Sequence, residues 1–212
     1  MKEYLKRVAR FFGLIAIVPF LVGFVGAWSA GFGFFLSILV IPAATLGLLV
    51  GSIIWFVRSY QHGKRVSGSR DRFLTYSIAP LLLVVTVSAA WPLLRFGNYT
   101  GTMSRLMVNH SRYEAIIARV KADPEPAWFK DDGGIKYSVD LGPPIRVAFN
   151  PEGFLDNWSG IIYDPTGDVM LADGFDPRTG KFVAPDRVTK LFEGDLVSCL
   201  HLWGSYYNCS FT

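Results

Sequence analysis

Charged residues vanish from two long stretches of this chain. From Phe11 to Val57 there is no Asp, Glu, Lys or Arg, and from Phe73 to Phe96 the only charge is Arg95. At ~20 residues per bilayer crossing, the first stretch is too long for one span and about right for two. Its natural break is AWSAGFGF (Ala27–Phe34), where Ser29, Gly31 and Gly33 supply a turn and Trp28 an interfacial aromatic. Spans are therefore expected near 11–28, 34–57 and 73–95, giving a membrane domain over 1–96 with a connecting loop at 58–72. Core helices of a soluble protein keep a charged face toward water, and these stretches have none. Pro19, Pro42, Pro80 and Pro92 lie within or near the ends of the spans and predict kinks.

Beyond Gly97 the pattern changes twice. Met103, Leu106, Met107, His110, Tyr113, Ile117 and Val120 recur at three- and four-residue spacing, which predicts an amphipathic helix ended by the DPEP run at Asp123–Pro126. His110 falls on its apolar stripe and reads as a packed core histidine. The short runs IKYSVDL, IRVAF, GIIYD, DVMLA and LVSCLHLW then predict strands, being rich in β-branched and aromatic residues. Two related turns, YDPTGD (Tyr163–Asp168) and FDPRTGK (Phe175–Lys181), set an Asp-Pro ahead of Thr-Gly, so that Asp caps the turn and Gly takes a positive φ. DRVTKLFEG predicts a short helix capped by Asp186 and ended by Gly194. The expected fold class is three transmembrane α-helices followed by a small α+β extracytoplasmic domain over 97–212, one helix and then a mainly antiparallel sheet.

Charge changes the picture by giving the spans a direction. The leader MKEYLKRVAR and the loop 58–72 together hold nine basic and two acidic residues, whereas the tail after Gly97 holds eleven basic and fifteen acidic. Basic clusters beside spans stay cytoplasmic. The expected topology is N-terminus inside, loop 58–72 inside and the C-terminal domain outside, as in a bacterial inner membrane protein with a periplasmic domain. The small residues at Val25–Ala27 resemble a signal-peptidase site, but the apolar run before them exceeds the usual ~7–15 residues, so the first span is expected to remain uncleaved. The short basic loop has no folded surface or aromatic platform for nucleic acid, which is excluded as a partner; membrane lipid is expected instead.

Candidate chemistry is sparse. In the second span Ala43, Gly47 and Gly51 form a small-residue face that permits close helix packing. Packing within the chain is the main expectation, and a homo-oligomer or small channel the alternative. Asp164, Asp168, Asp173 and Asp176 are close in sequence but lack the alternation and final Glu of a calcium loop. No nucleophile elbow, zinc motif or phosphate-binding glycine loop occurs, and no cofactor is expected. An envelope enzyme acting on cell wall or lipid would have to use His201 with a carboxylate such as Asp195. Asn98, Asn109, Asn157 and Asn208 each begin an N-x-S/T triplet, which would matter in a eukaryotic cell. The leading expectation is a non-enzymatic, membrane-anchored envelope protein. Its outer domain, with Trp128, Trp158, Trp203, Tyr206 and Tyr207, binds another protein as an inhibitor, immunity factor or assembly subunit.

The only cysteines are Cys199 and Cys209. Outside the cytoplasm they are expected to form a disulfide. A plain two-residue hairpin at Gly204-Ser205 would set Cys199 against Ser210 and turn the two sulfurs to opposite faces. The bond therefore requires either a three-residue loop or one bulge, which makes the cysteines direct cross-strand partners.

Overall fold

In the computed structural model, which describes residues 2–154 and 156–212, the chain divides into two compact units, Met1–Gly101 and Thr102–Thr212. Three helices are long and apolar enough to cross a membrane: α1 (Lys2–Gly26), α2 (Ala30–Gly63) and α3 (Ser69–Ala122). The chain is an integral membrane protein. In hydrocarbon an unpaired amide has no water to bond, so an uncharged stretch of this length is satisfied only as helix. The break between α1 and α2 falls at residues 27–29, where the Ser29 hydroxyl accepts the Phe32 N–H at 3.3 Å and caps α2.

The helices run past the expected span limits. The basic leader is the first part of α1, and the expected loop 58–72 is helical except at 64–68. The third span and the helix expected to follow it are one element of 54 residues, which contributes residues to both units. No residue between Phe96 and Met103 interrupts it: the segment contains no proline, and Gly97 and Gly101 stay helical where they meet α1.

Within the first unit, α1 and α3 meet through glycines. A Cβ on Gly97 would lie 2.1 Å from the Phe20 carbonyl oxygen, and one on Gly101 2.5 Å from that of Phe24. On the facing helix, a Cβ on Gly23 would lie 2.2 Å from the Leu94 carbonyl oxygen. Helices in lipid gain little from apolar burial and associate by close backbone approach, which this seam allows. Val8, Phe12 and Ala79 form a second contact point, with Phe11, Leu48 and Trp55 around them. The α2 stripe behaves differently from that seam. Gly51 is buried beneath the Phe11 ring, but Ala43 and Gly47 are exposed, and nothing lies within 4 Å of the place a Gly47 side chain would occupy.

The second unit is α+β, the class expected from the sequence. Strands β1 (Ala127–Asp132), β2 (Ile135–Asp140), β3 (Arg146–Phe154) and β4 (Asn157–Tyr163) form an antiparallel meander. An excursion follows, with a 3-10 turn at Asp168–Leu171, a two-residue ribbon of β5 (Phe175–Asp176) and β6 (Lys181–Phe182), one helical turn α4 (Asp186–Thr189) and β7 (Lys190–Leu191). Strands β8 (Gly194–Trp203) and β9 (Tyr206–Phe211) return to complete a seven-stranded sheet in the order β1-β2-β3-β4-β9-β8-β7. Residues Leu106, Tyr113, Ile116, Ile117 and Val120 of α3 are buried, and Tyr113 stacks on Phe149 at 4.1 Å. The alternate residues Ala148 and Ile162 enter a core with Val169, Val188, Leu191, Leu196, Tyr207, Cys209 and Phe211. Both faces are thus buried over residues 147–149 of β3 and 160–162 of β4.

Two local expectations are corrected. DVMLA is no strand, because the Asp164 carboxylate takes the Val169 N–H at 3.1 Å and the segment coils into the 3-10 turn. DRVTKLFEG is only one helical turn capped at Pro185, not at Asp186, and Gly194 begins β8 instead of ending the helix. Burial of Leu191 and Phe192 in the core draws this segment into the β7–β8 hairpin, with Phe192 and Glu193 at positive φ.

The terminal hairpin contains the irregularity its cysteines require. Trp203 pairs Tyr206 across Gly204-Ser205, with Gly204 at φ +57°, and Leu202 is the extra residue between the His201 and Trp203 pairs. That bulge shifts the register by one, so Cys199 faces Cys209 with Cα atoms 4.1 Å apart, and the two form a disulfide.

The glycine seam yields a test. Gly97→Leu forces α1 and α3 apart and should destabilise the helical unit by about 1–3 kcal/mol. Gly47→Leu meets nothing within 4 Å and should change stability by less than about 0.5 kcal/mol. Thermal unfolding of the two full-length variants in the same detergent compares them, and equal loss in both would remove the seam as the packing determinant.

Candidate functional site

The turn YDPTGD, legible in the sequence, is more than a turn. Asp164 Oδ1 accepts from the Thr166 backbone N–H (3.1 Å) and hydroxyl (2.8 Å), as an Asp-capped turn requires. The same carboxylate faces Arg146 of β3, with Nε 3.1 Å from Oδ1, and both side chains are fully buried. Arg146 Nε makes no hydrogen bond of acceptable angle despite that distance, so the pair is held by charge. Arg146 Nη2 reaches Thr166 Oγ1 at 3.4 Å and Asp168 Oδ2 at 3.7 Å. Arg187 of α4 closes the cluster by forking the Asp168 carboxylate at 2.7 and 3.1 Å. Those hydrogen bonds hold the Asp168 carboxyl below the ordinary carboxylate range. These groups tie β3, the 3-10 turn and α4 together, so the cluster is structural.

The acidic turns do not converge on a cation. Asp176 caps its own turn through the Arg178 N–H (2.8 Å) and the Thr179 hydroxyl (3.1 Å). Among the described residues no group of three His, Cys, Asp or Glu side chains is placed to hold a metal ion. His201 and Asp195 are six residues apart on β8, ~20 Å at 3.3 Å per residue. His201 Nε2 instead lies 2.9 Å from the Gly204 carbonyl oxygen, and Asp195 pairs with Lys190 at 2.7 Å. The dyad considered from the sequence is therefore not assembled. His110 contacts the Trp203 and Tyr206 rings edge-on, at 5.0 and 5.6 Å. The Tyr206 hydroxyl donates to Glu114 at 2.6 Å, and burial together with that carboxylate pushes its titration far up. Asn208, in the last N-x-S/T triplet, lies inside the sheet between Ile161 and Leu200.

The aromatic residues of this unit separate into core and surface. Tyr206 and Tyr207 are buried, and Trp158 stacks on Phe211 at 4.0 Å. Trp203 is 58% exposed at the tip of the terminal hairpin. Trp128 and its neighbour Phe129 are 47% and 46% exposed on β1. That strand ends the sheet and, among the described residues, pairs only with β2. A bulge between Ala127 and Lys130 breaks its register, with Phe129 at φ +51° and its N–H donated to the Ser138 hydroxyl at 3.2 Å. The bulge presents two adjacent large aromatics that a regular strand would send to opposite faces. Beside them is a cleft of about 250 Å³ between the end of α3 and the β1–β2 hairpin, where Asp123, Glu125, Asp131 and Asp132 outnumber Arg119, which pairs with Asp132, and Lys130. Phe129 was not singled out from the sequence. Its signal was the unalternating pair in AWFKDD, which does not read as a strand because the bulge removes the alternation.

Comparison of the chain with protein-family models, curated proteins and solved structures finds no match.

The buried pair makes a definite prediction. Arg146→Met leaves the Asp164 carboxylate buried and unpaired, and should destabilise the sheet unit by about 3–5 kcal/mol. Arg146→Met combined with Asp164→Asn removes the stranded charge and should recover a large part of that loss. Urea titration of the full chain in detergent, read by proteolysis of the sheet unit, measures both. A double variant no better than the single would rule out the stranded charge as the cause.

Proposed function

We propose that this protein is a membrane-anchored envelope protein whose sheet unit binds another protein, with β1 as the docking edge. The observation that carries the reading is the pair Trp128–Phe129, lifted by a bulge on a sheet edge with no second neighbour among the described residues. An edge strand offers unpaired backbone donors and acceptors to an added strand, and exposed aromatics supply the anchors that dominate protein interfaces. The acidic cleft beside the edge favours a partner segment with basic residues next to its apolar anchor. An inhibitor, an immunity factor or an assembly subunit would use such a surface.

The reading includes a compartment. The basic residues of the leader and of 58–72 favour the cytoplasm for the N-terminus and for the α2–α3 connection, and the periplasm of a bacterial inner membrane for the sheet unit. The Cys199–Cys209 disulfide supports an oxidising environment for that unit. Self-association through α2 is a second reading, favoured by the outward exposure of Ala43 and Gly47.

Two experiments test these statements. Alkaline phosphatase joined after Thr212 should be active and the same reporter inserted at Val66 inactive; the opposite pattern overturns the orientation. Affinity capture of the full chain from crosslinked membranes should return one stoichiometric protein. Trp128→Ala with Phe129→Ala should cut its recovery at least ~10-fold while the disulfide-linked terminal peptide persists. Undiminished recovery would remove β1 as the docking edge.

A further inference from the structure

The first unit contains a cleft that neither helix packing nor membrane orientation requires. About 580 Å³ in volume, it opens between α1 and α2 and is lined by Tyr4 and Arg7 of α1 and by Trp55, Arg58 and His62 of α2, with Arg65 just beyond α2. Its aromatic wall is held in place. Tyr4 stacks on His62 at 4.8 Å, meets Trp55 edge-on at 5.9 Å and hydrogen-bonds through its hydroxyl to Ser59. The Arg58 guanidinium lies over the Trp55 ring, 5.3 Å from its centroid, which orients its fork. Glu3 is the one acidic residue of the lining, against three guanidinium groups. None of the salt bridges among the described residues engages Arg7, Arg58, Arg65 or Glu3. The cleft therefore concentrates an excess of positive charge on a preformed aromatic platform.

Its depth along the helices narrows the ligand. Arg7 precedes the start of the uncharged stretch at Phe11, and Trp55 and Arg58 bracket its end at Val57. The cleft is thus at the level where hydrocarbon gives way to headgroups, the level that Trp and Tyr also prefer. Arginine forks match phosphate oxygens in pairs, and basic pockets between membrane helices take anionic headgroups. We propose that this cleft is a binding site for a phosphate monoester or diester of net negative charge, supplied by an anionic phospholipid headgroup or by a soluble phosphate. Topology alone does not call for it. Orientation by basic residues depends on how many there are near the spans, and is indifferent to whether three of them converge on a stacked aromatic wall.

That difference designs the test. The full chain, purified in detergent, is offered phosphatidylglycerol or phosphatidylcholine and its retained lipid counted by native mass spectrometry. One phosphatidylglycerol per chain should be retained and phosphatidylcholine should not. Arg58→Gln and Arg65→Gln should each weaken retention about tenfold or more. Lys6→Gln and Arg70→Gln remove the same charge outside the lining and should change it less than about twofold. Equal loss in lining and control variants would mean a diffuse field and overturn the site. Inorganic phosphate is the second probe, read as a shift in the thermal midpoint of the lipid-free protein. A rise in the parent chain that is absent in Arg58→Gln, without phosphatidylglycerol retention, upholds the phosphate chemistry and assigns it to a soluble ligand. Response to neither probe overturns the proposal. Helix content, followed by circular dichroism, must be unchanged in each variant for its result to count.

Discussion

Hydrogen bonding in hydrocarbon is the constraint from which the rest of this molecule follows. A backbone amide in the uncharged helical stretches, residues 11–26, 30–57 and 73–94, has no water to bond. It must be satisfied inside its own helix, and α1, α2 and α3 are the result. Helices that have already satisfied themselves gain little from apolar contact in lipid, so their association depends on shape. Gly23, Gly97 and Gly101 supply that shape by letting backbone meet backbone, while the bulky face of Val8 and Phe12 fills the opposite end of the seam. The same constraint sets where chemistry is permitted. Charge appears only where the helices leave hydrocarbon, and the cleft of Arg7, Arg58 and Arg65 is built at that limit.

The second unit answers to water and solves a different problem. A sheet buried on both faces needs cover on each side. The end of α3 covers one through Leu106, Tyr113, Ile116 and Ile117, and the excursion between β4 and β8 covers the other through Val169, Val188 and Leu191. An excursion this rich in turns is short of regular hydrogen bonds, and Asp164 compensates by holding two N–H groups, one hydroxyl and the buried Arg146 guanidinium. The disulfide adds a covalent tie within the same sheet, across the hairpin whose bulge at Leu202 makes the two cysteines opposite neighbours. Bulges recur at the places where this sheet departs from a plain ladder. In β3 one turns Asn150 to donate to the Tyr113 hydroxyl at 2.9 Å, and in β1 one exposes Trp128 and Phe129.

How far each feature was legible depended on how local its cause is. IKYSVDL, IRVAF, GIIYD and LVSCLHLW read as strands because β-branched and aromatic side chains suit a pleated surface wherever they sit. DVMLA has the same composition and is a 3-10 turn, since a carboxylate five residues earlier captured its amide. DRVTKLFEG has a helix-like start, yet Leu191 and Phe192 had a core to fill and the hairpin prevailed. Of the regularly spaced α2 stripe Ala43, Gly47 and Gly51, Gly51 packs within the chain, beneath Phe11, and the other two are exposed. The backbone-to-backbone contacts of α1 and α3 join residues more than seventy positions apart, which no local spacing reveals.

Membership of the membrane, the number of helices, the α+β class of the tail and the condition for a cysteine bond were determined by the sequence alone. Each follows from a property of single residues or near neighbours: transfer cost, periodicity, turn preference. Which glycines touch, which arginine is buried, which aromatics are exposed and where basic side chains converge were decided only by tertiary structure. Those outcomes depend on which distant residues share a space, and burial, desolvation and pairing act across that space, not along the chain.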